Sequence, residues 1–242
     1  MRPKVITAAL SLVFAVSAHA DPDKIREAIT KNFPGMEVKS VQLAATSGLW
    51  EVFNGSDIVY ADSNATVFIA GQMIDLTTKR NLTQARLEKL LVTDFAALPT
   101  SQAMTIKRGD GTRRVALFAD PQCSFCKKLE VELAKLDDIT IDVYLTPVLG
   151  PTSVDRAKDI ACAVNKAQAW DAWMLKNEAP SKASEKCDVS FDKNLALGRS
   201  LGIRAVPILV FTDGSRMAGA QPATEIEKRL ASSSATQKLA TK

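Results

Sequence analysis

Beyond residue 20 the sequence has no histidine; the single one in 242 residues is His19. A chain without imidazole excludes Ser-His-Asp and Cys-His nucleophilic catalysis, and any zinc site with a histidine ligand. An excess of charge is missing too. Without the first twenty residues the chain carries 29 Lys+Arg against 27 Asp+Glu, which is no basic patch of the kind that nucleic-acid binding needs. No later segment approaches the about 20 apolar residues of a membrane-spanning helix, so membrane insertion is not expected. The chemistry left open runs on cysteines, carboxylates, lysines or hydroxyls.

The opening stretch, MRPKVITAALSLVFAVSAHA, has Arg2 and Lys4 ahead of an apolar run from Val5 to Val16, then the small-x-small site Ala18-His19-Ala20. That pattern predicts a secretory signal peptide cleaved after Ala20. An uncleaved anchor is the alternative, and the apolar run is short for one. Removal of residues 1–20 leaves 222 residues, enough for one or two domains, with Cys123, Cys126, Cys162 and Cys187 all retained. An even cysteine count in an exported chain suits an oxidising compartment.

Residues 21–33 predict an amphipathic helix, with Asp21 as cap, Pro22 at the first position and Ile25, Ile29 and Phe33 on one face. Residues 36–77 read as strand-rich. Asn54-Gly55 marks a hairpin, and a further strand is interrupted at Gly71. Helical periodicity returns over 82–98, capped by Thr83 and followed by Pro99. It reads as a linker helix between two domains, or as a helix packed within one.

The remainder alternates strands (113–120, 139–145 and Ile208–Phe211) with helices, including one stretch over 153–177. Asp213-Gly214 turns the last strand back on a partner, and residues 223–231 form a short closing helix. The polar tail, 232–242, is expected to be disordered. The boundaries that result are 1–20 signal peptide, 21–81 N-terminal domain, 82–98 linker helix, 99–231 catalytic domain and 232–242 tail.

LFADPQCSFCKKLE places Cys123 and Cys126 where a strand gives way to a helix. There the first sulfur sits at a helix N-terminus, whose free N–H groups and dipole favour a thiolate. The second, one turn on, can resolve a mixed disulfide. A zinc site would want a second closely spaced pair, whereas Cys162 and Cys187 are 25 residues apart. A structural bridge across so small a loop stabilises little, and free buried thiols are out of place in an oxidising compartment. The redox reading is therefore favoured, with Cys123 as nucleophile and Cys126 as resolving thiol. A bridge between Cys162 and Cys187 would contribute about 3.5 kcal/mol in the chain-entropy model; a second redox centre lacks the short spacing. Trp170 and Trp173 read as core, or less simply as a substrate-facing patch. Val206-Pro207 says little alone, because most X-Pro bonds are trans.

Taken together, FADPQCSFCKKLE, DIACAVNKAQAWDAWM, CDVSFDKNLALGRSLGIRAVPILVFTDG and GAQPATEIEKRL resemble the bacterial periplasmic disulfide isomerases of the DsbC and DsbG family, over essentially the whole chain after residue 20. The resemblance implies an α+β N-terminal dimerisation domain, a linker helix and an α/β thioredoxin-fold catalytic domain with a helical insertion. It implies a periplasmic homodimer without metal or cofactor. Its clients would be misoxidised or unfolded exported proteins, and its electron donor a membrane thiol reductase of the DsbD type.

By the same resemblance Cys123 and Cys126 match the redox pair, Cys162 and Cys187 the structural disulfide, and Pro207 a substrate-binding cis-proline preceded by Val206. Two positions depart from the family: Ser124-Phe125 replaces the usual Gly-Tyr, and Val206 stands where the isomerases usually carry Thr and DsbA oxidases Val. Both touch the redox pair and can shift its potential, each ~30 mV being about 1.4 kcal/mol. The alternatives are a DsbA-like dithiol oxidase and a chaperone whose cleft holds unfolded chains.

Overall fold

The computed structural model describes residues 21–240, with side chains through Ser233. The expected signal peptide lies outside the described residues. The described chain divides into two compact units, with Gly71 the last residue of the first and Gln72 opening the main run of the second.

The first unit begins with α1 (Pro22–Asn32), where the Asp21 carboxylate accepts from the Asp23 N–H at 3.0 Å. Pro22 occupies the first turn, where a missing amide hydrogen costs nothing. Four short strands follow, β1 (Ser40–Leu43), β2 (Trp50–Phe53), β3 (Ile58–Ala61) and β4 (Phe68–Ile69), paired in chain order as an antiparallel sheet. Ile25 and Ile29, four residues apart and so on one helix face, bury against Val52, Val59 and Ala61. Val52 and Val59 are cross-strand partners. The hairpin at Asn54-Gly55 joins β2 to β3, and Gly55 takes the positive φ (96°) that side chains resist. β4 ends at Ile69, so Gly71 is no bulge in a longer strand.

In the second unit α2 (Leu82–Leu90) is capped by Asn81, whose Oδ1 accepts from the Gln84 N–H at 2.9 Å. Thr83, the expected cap, instead lies inside the helix, its Oγ1 accepting from the Met73 N–H. The helix stops at Leu90 rather than at 98. Just beyond it Asp94 Oδ1 accepts from the Ala96 and Ala97 N–H groups, a local turn that competes with helix. Thr93 donates its N–H to the Gly214 carbonyl, and Leu98 is buried with Phe118, Tyr144 and Val210. This stretch is part of the second unit's packing.

The sheet of this unit contains β5 (Met104–Arg108), β6 (Arg113–Ala119), β7 (Ile139–Leu145), β8 (Ile208–Phe211) and β9 (Arg216–Ala218), in the order β5-β7-β6-β8-β9. Only β6 and β7 are parallel. A parallel pair needs a crossover, which α3 (Ser124–Leu133) supplies. Four further helices are α4 (Pro151–Ala161), α5 (Lys166–Lys176), α6 (Asp192–Ser200) and α7 (Ala223–Ala240), with β8 and β9 between the last two.

Alternation along β6 and β7 serves two cores. Val115, Leu117, Ala119, Ile139, Ile141, Val143 and Leu145 meet Leu129 and Leu133 of α3, Trp170 and Met174 of α5, and Ile226 and Leu230 of α7. Ala116, Phe118 and Tyr144 point the other way, toward Leu197, Leu201 and Ile203 at and after α6. Both faces being covered explains why these strands are nearly all apolar.

Two helical expectations change. The single stretch over 153–177 is two helices, because α4 ends at Cys162 and Asn165 re-caps α5 through the Gln168 N–H at 3.0 Å. The short closing helix extends to Ala240, across most of the tail expected to be disordered.

Candidate active site

β6 delivers the chain into a turn over Asp120–Cys123, closed by the Cys123 N–H donating to the Asp120 carbonyl at 3.1 Å. Pro121 pre-sets the backbone for the second position of such a turn. Cys123 is then the N-cap of α3, and the Cys126 N–H donates to its Sγ at 3.3 Å. A thiolate at this sulfur would keep that bond and face the positive end of the helix.

The Cys123 S–H donates to the Val206 carbonyl at 3.7 Å, and the Val206–Pro207 peptide bond is cis. Sequence-distant residues 123, 126, 206 and 207 are thus brought together around one sulfur. Both thiols are free, Cys123 7 % and Cys126 1 % exposed. Burial, first of all, pushes the Cys126 thiol well above the ordinary thiol range. Phe125, between them, is exposed with Lys128 near its ring, 5.1 Å from the centroid.

Cys162 and Cys187 form a disulfide in the same unit. It ties the end of α4 to the segment before α6, apart from the free pair. Among the described residues no group of three or more His, Cys, Asp or Glu side chains is placed to hold a metal ion, and no helix is long and apolar enough to cross a membrane.

Sequence reasoning overlooked Asp120. Its fully buried carboxylate accepts from the Gln122 N–H and the Ser153 hydroxyl on Oδ1, each at 2.7 Å, and from the Val148 and Leu149 N–H groups on Oδ2 at 2.7 and 3.0 Å. Four donors stabilise a charge that burial alone would make costly. They also tie the cysteine turn to the loop before α4, where the Val148 and Leu149 side chains are exposed. The signal available in sequence was only an Asp-Pro turn pair.

The two tryptophans part company. Trp170 is core, its Nε1–H donating to buried Glu130 at 2.8 Å. Trp173 is partly exposed, and its Nε1–H donates to the Pro121 carbonyl at 2.6 Å. Glu130, one turn beyond Cys126, has its carboxyl pushed up to about 7 by burial, against the Trp170 hydrogen bond and Arg108 at 3.5 Å.

A free cysteine pair heading the crossover helix of a mixed sheet, with a cis-proline strand against it, defines a thioredoxin-fold thiol:disulfide exchange protein. Residues 100–233 match the family model described as a thioredoxin-like domain, and residues 16–84 the one described as the disulfide bond isomerase protein N-terminal domain. The chain belongs to the DsbC family of thiol:disulfide interchange proteins.

It is 39% identical over 208 residues to a Bordetella pertussis protein named "Probable thiol:disulfide interchange protein DsbC", covering 86% of this chain and 74% of that one. Against the Escherichia coli thiol:disulfide interchange protein DsbC the identity is 28%, over 91% of this chain and 92% of the relative. A crystal structure of a disulfide interchange protein from Neisseria gonorrhoeae superposes with a TM-score of 0.54 at 33% identity, over 56% of this chain and 98% of that one.

Proposed function

We propose that the protein is a periplasmic disulfide isomerase that acts through Cys123. The carrying observation is the Cys123 sulfur at the N-cap of α3, beside the Val206 carbonyl and the cis-proline. The Cys123 thiolate attacks one sulfur of a wrong client disulfide, forming a mixed disulfide and releasing the other client sulfur as a thiolate. A client thiolate then attacks the client sulfur of the mixed disulfide, which forms a new client disulfide and returns the Cys123 thiolate with no net oxidation.

If the client stalls, Cys126 loses its proton and attacks the Cys123 sulfur. The client leaves reduced by two electrons and the enzyme holds a Cys123–Cys126 disulfide. The buried, high-pKa Cys126 makes this escape slower than attack by a client thiolate. A dithiol donor must then reduce the pair, and the family resemblance points to a membrane reductase of the DsbD type.

Val206 and Pro207 are the proposed client-backbone contacts, with exposed Phe125, Val148 and Leu149 offering apolar surface beside them. The Cys162–Cys187 bond is proposed to be structural. Periplasmic location and a homodimer built through the N-terminal unit are supported by the family match.

The test is reactivation of scrambled ribonuclease by the reduced protein in a glutathione buffer. Activity is expected, with near-complete loss in Cys123→Ala. Equal activity of that variant would sink the proposal. Val206, the residue shared with oxidases, favours a dithiol oxidase as the second reading. Trapping the thiols in cells separates the two: a mostly reduced Cys123/Cys126 pair is expected for an isomerase, and a mostly oxidised one for an oxidase.

A further inference from the structure

The Pro121–Gln122 peptide lies in the middle of the turn that leads to Cys123, and both of its polar ends are gripped. Its carbonyl oxygen accepts from Trp173 Nε1 at 2.6 Å, and its N–H donates to Asp120 Oδ1 at 2.7 Å. A peptide is a rigid plane, so fixing both ends fixes its rotation and the backbone direction entering Gln122. Cys123 follows Gln122; its own N–H closes the turn on the Asp120 carbonyl and its sulfur caps α3, so the gripped peptide and this hydrogen bond together hold the turn that carries the sulfur.

The indole is itself immobilised. Lys127 Nζ lies 3.8 Å and the Arg156 guanidinium carbon 4.1 Å from its ring centroid, within cation–π range. Lys127 also donates to Asn177 Oδ1, at the end of α5. A lysine in the first turn of a helix opposes the helix dipole. Lys127 is nevertheless held there by Trp173 and Asn177, one residue from the motif. The same placement sets two cations on the face of the ring whose N–H holds the cysteine turn.

We propose that Trp173 is a positioning residue for the proposed nucleophile, orienting Cys123 through the Pro121–Gln122 peptide and holding two cations beside its turn. The inference rests on the assignment of Cys123 as nucleophile. Trp173 touches no reacting atom in it; it holds the turn that sets the sulfur at the N-cap.

The experiment uses the full exported chain in a Cys126→Ser background, so that one reactive thiol is read. Iodoacetamide alkylation of Cys123 is followed from pH 4 to pH 9, alongside thermal unfolding. Trp173→Phe keeps an aromatic face for the two cations and removes the N–H donor together with the indole's second ring. It is expected to unfold cooperatively, to slow alkylation at pH 7 by about threefold to tenfold, the worth of one ordinary hydrogen bond, and to move the profile to higher pH. Trp173→Ala is expected to move it further.

Ile226→Ala, a core change in α7, is the control for lost stability, and its profile is expected to overlay the parent's. The proposal is overturned if Trp173→Phe overlays the parent, or if Ile226→Ala shifts the profile as far. Failure of the nucleophile assignment shows separately, as isomerase activity that survives Cys123→Ala.

Discussion

Cys123 and Cys126 have different surroundings although they are one helical turn apart. Cys123 caps the helix and faces Val206, whereas Cys126 is 1 % exposed with its thiol pushed up by burial. Brief iodoacetamide treatment of the reduced native protein is therefore expected to label Cys123 alone, with Cys126 labelled only after unfolding, as read by mass spectrometry of the digest. Glu130 gives a pH prediction. Burial raises its folded value to about 7 from an ordinary 4.5, so the native state holds a proton that the unfolded chain has released. Its favourable contribution is complete below about pH 4.5 and is lost as pH rises to about 7, on the order of 3 kcal/mol in all. Urea midpoints of the parent should fall from pH 5 to pH 8, and Glu130→Gln should flatten that fall; an equally steep fall in the variant would contradict it. The cysteines were legible in sequence because short spacing is a local signal. Asp120, Trp173 and Glu130 were not, because their partners come from other segments of the chain.

At the scale of elements, hydrophobic period and turn residues carried most of the reading. Alternation marked β7, Asn54-Gly55 marked the β2–β3 hairpin and Asp213-Gly214 the β8–β9 turn. Boundaries suffered where a side chain competed with the backbone. Asp94 turns the chain after α2, and Asn165 restarts it at α5. Neither residue disturbs hydrophobic periodicity, so periodicity ran through both. The Cys162–Cys187 bond staples the segment between α4 and α6. Replacing both cysteines by alanine is expected to destabilise the fold by up to about 3.5 kcal/mol in the chain-entropy model. Isomerase activity should persist below the lowered melting temperature. A loss of activity in a variant still folded by circular dichroism would assign this pair a redox part.

For the whole molecule, the two units have separate cores, and the proposed function assigns assembly to the first and chemistry to the second. Light scattering of the chain lacking residues 1–20 is expected to give twice the monomer mass. Deleting residues 21–71 should give a monomer that still reduces small disulfides but loses most isomerase activity. A monomeric parent with full isomerase activity would remove the N-terminal unit from the mechanism. The family was readable from sequence through motifs of the second unit, which run from the cysteine turn to the closing helix. The packing of residues 91–98 against the second unit's sheet was not, because a short apolar run carries no sign of which surface it will cover.

The same four cysteines make a mispaired copy a substrate for the chemistry proposed for Cys123. A chain exported N-terminus first brings Cys123, Cys126 and Cys162 into the oxidising compartment ahead of Cys187. Four cysteines allow three complete pairings, and until the last arrives, the partner that Cys162 needs is missing while two reactive ones are at hand. A newly made copy that joins Cys162 to Cys123 would lock away the proposed nucleophile until another thiolate opened that bond.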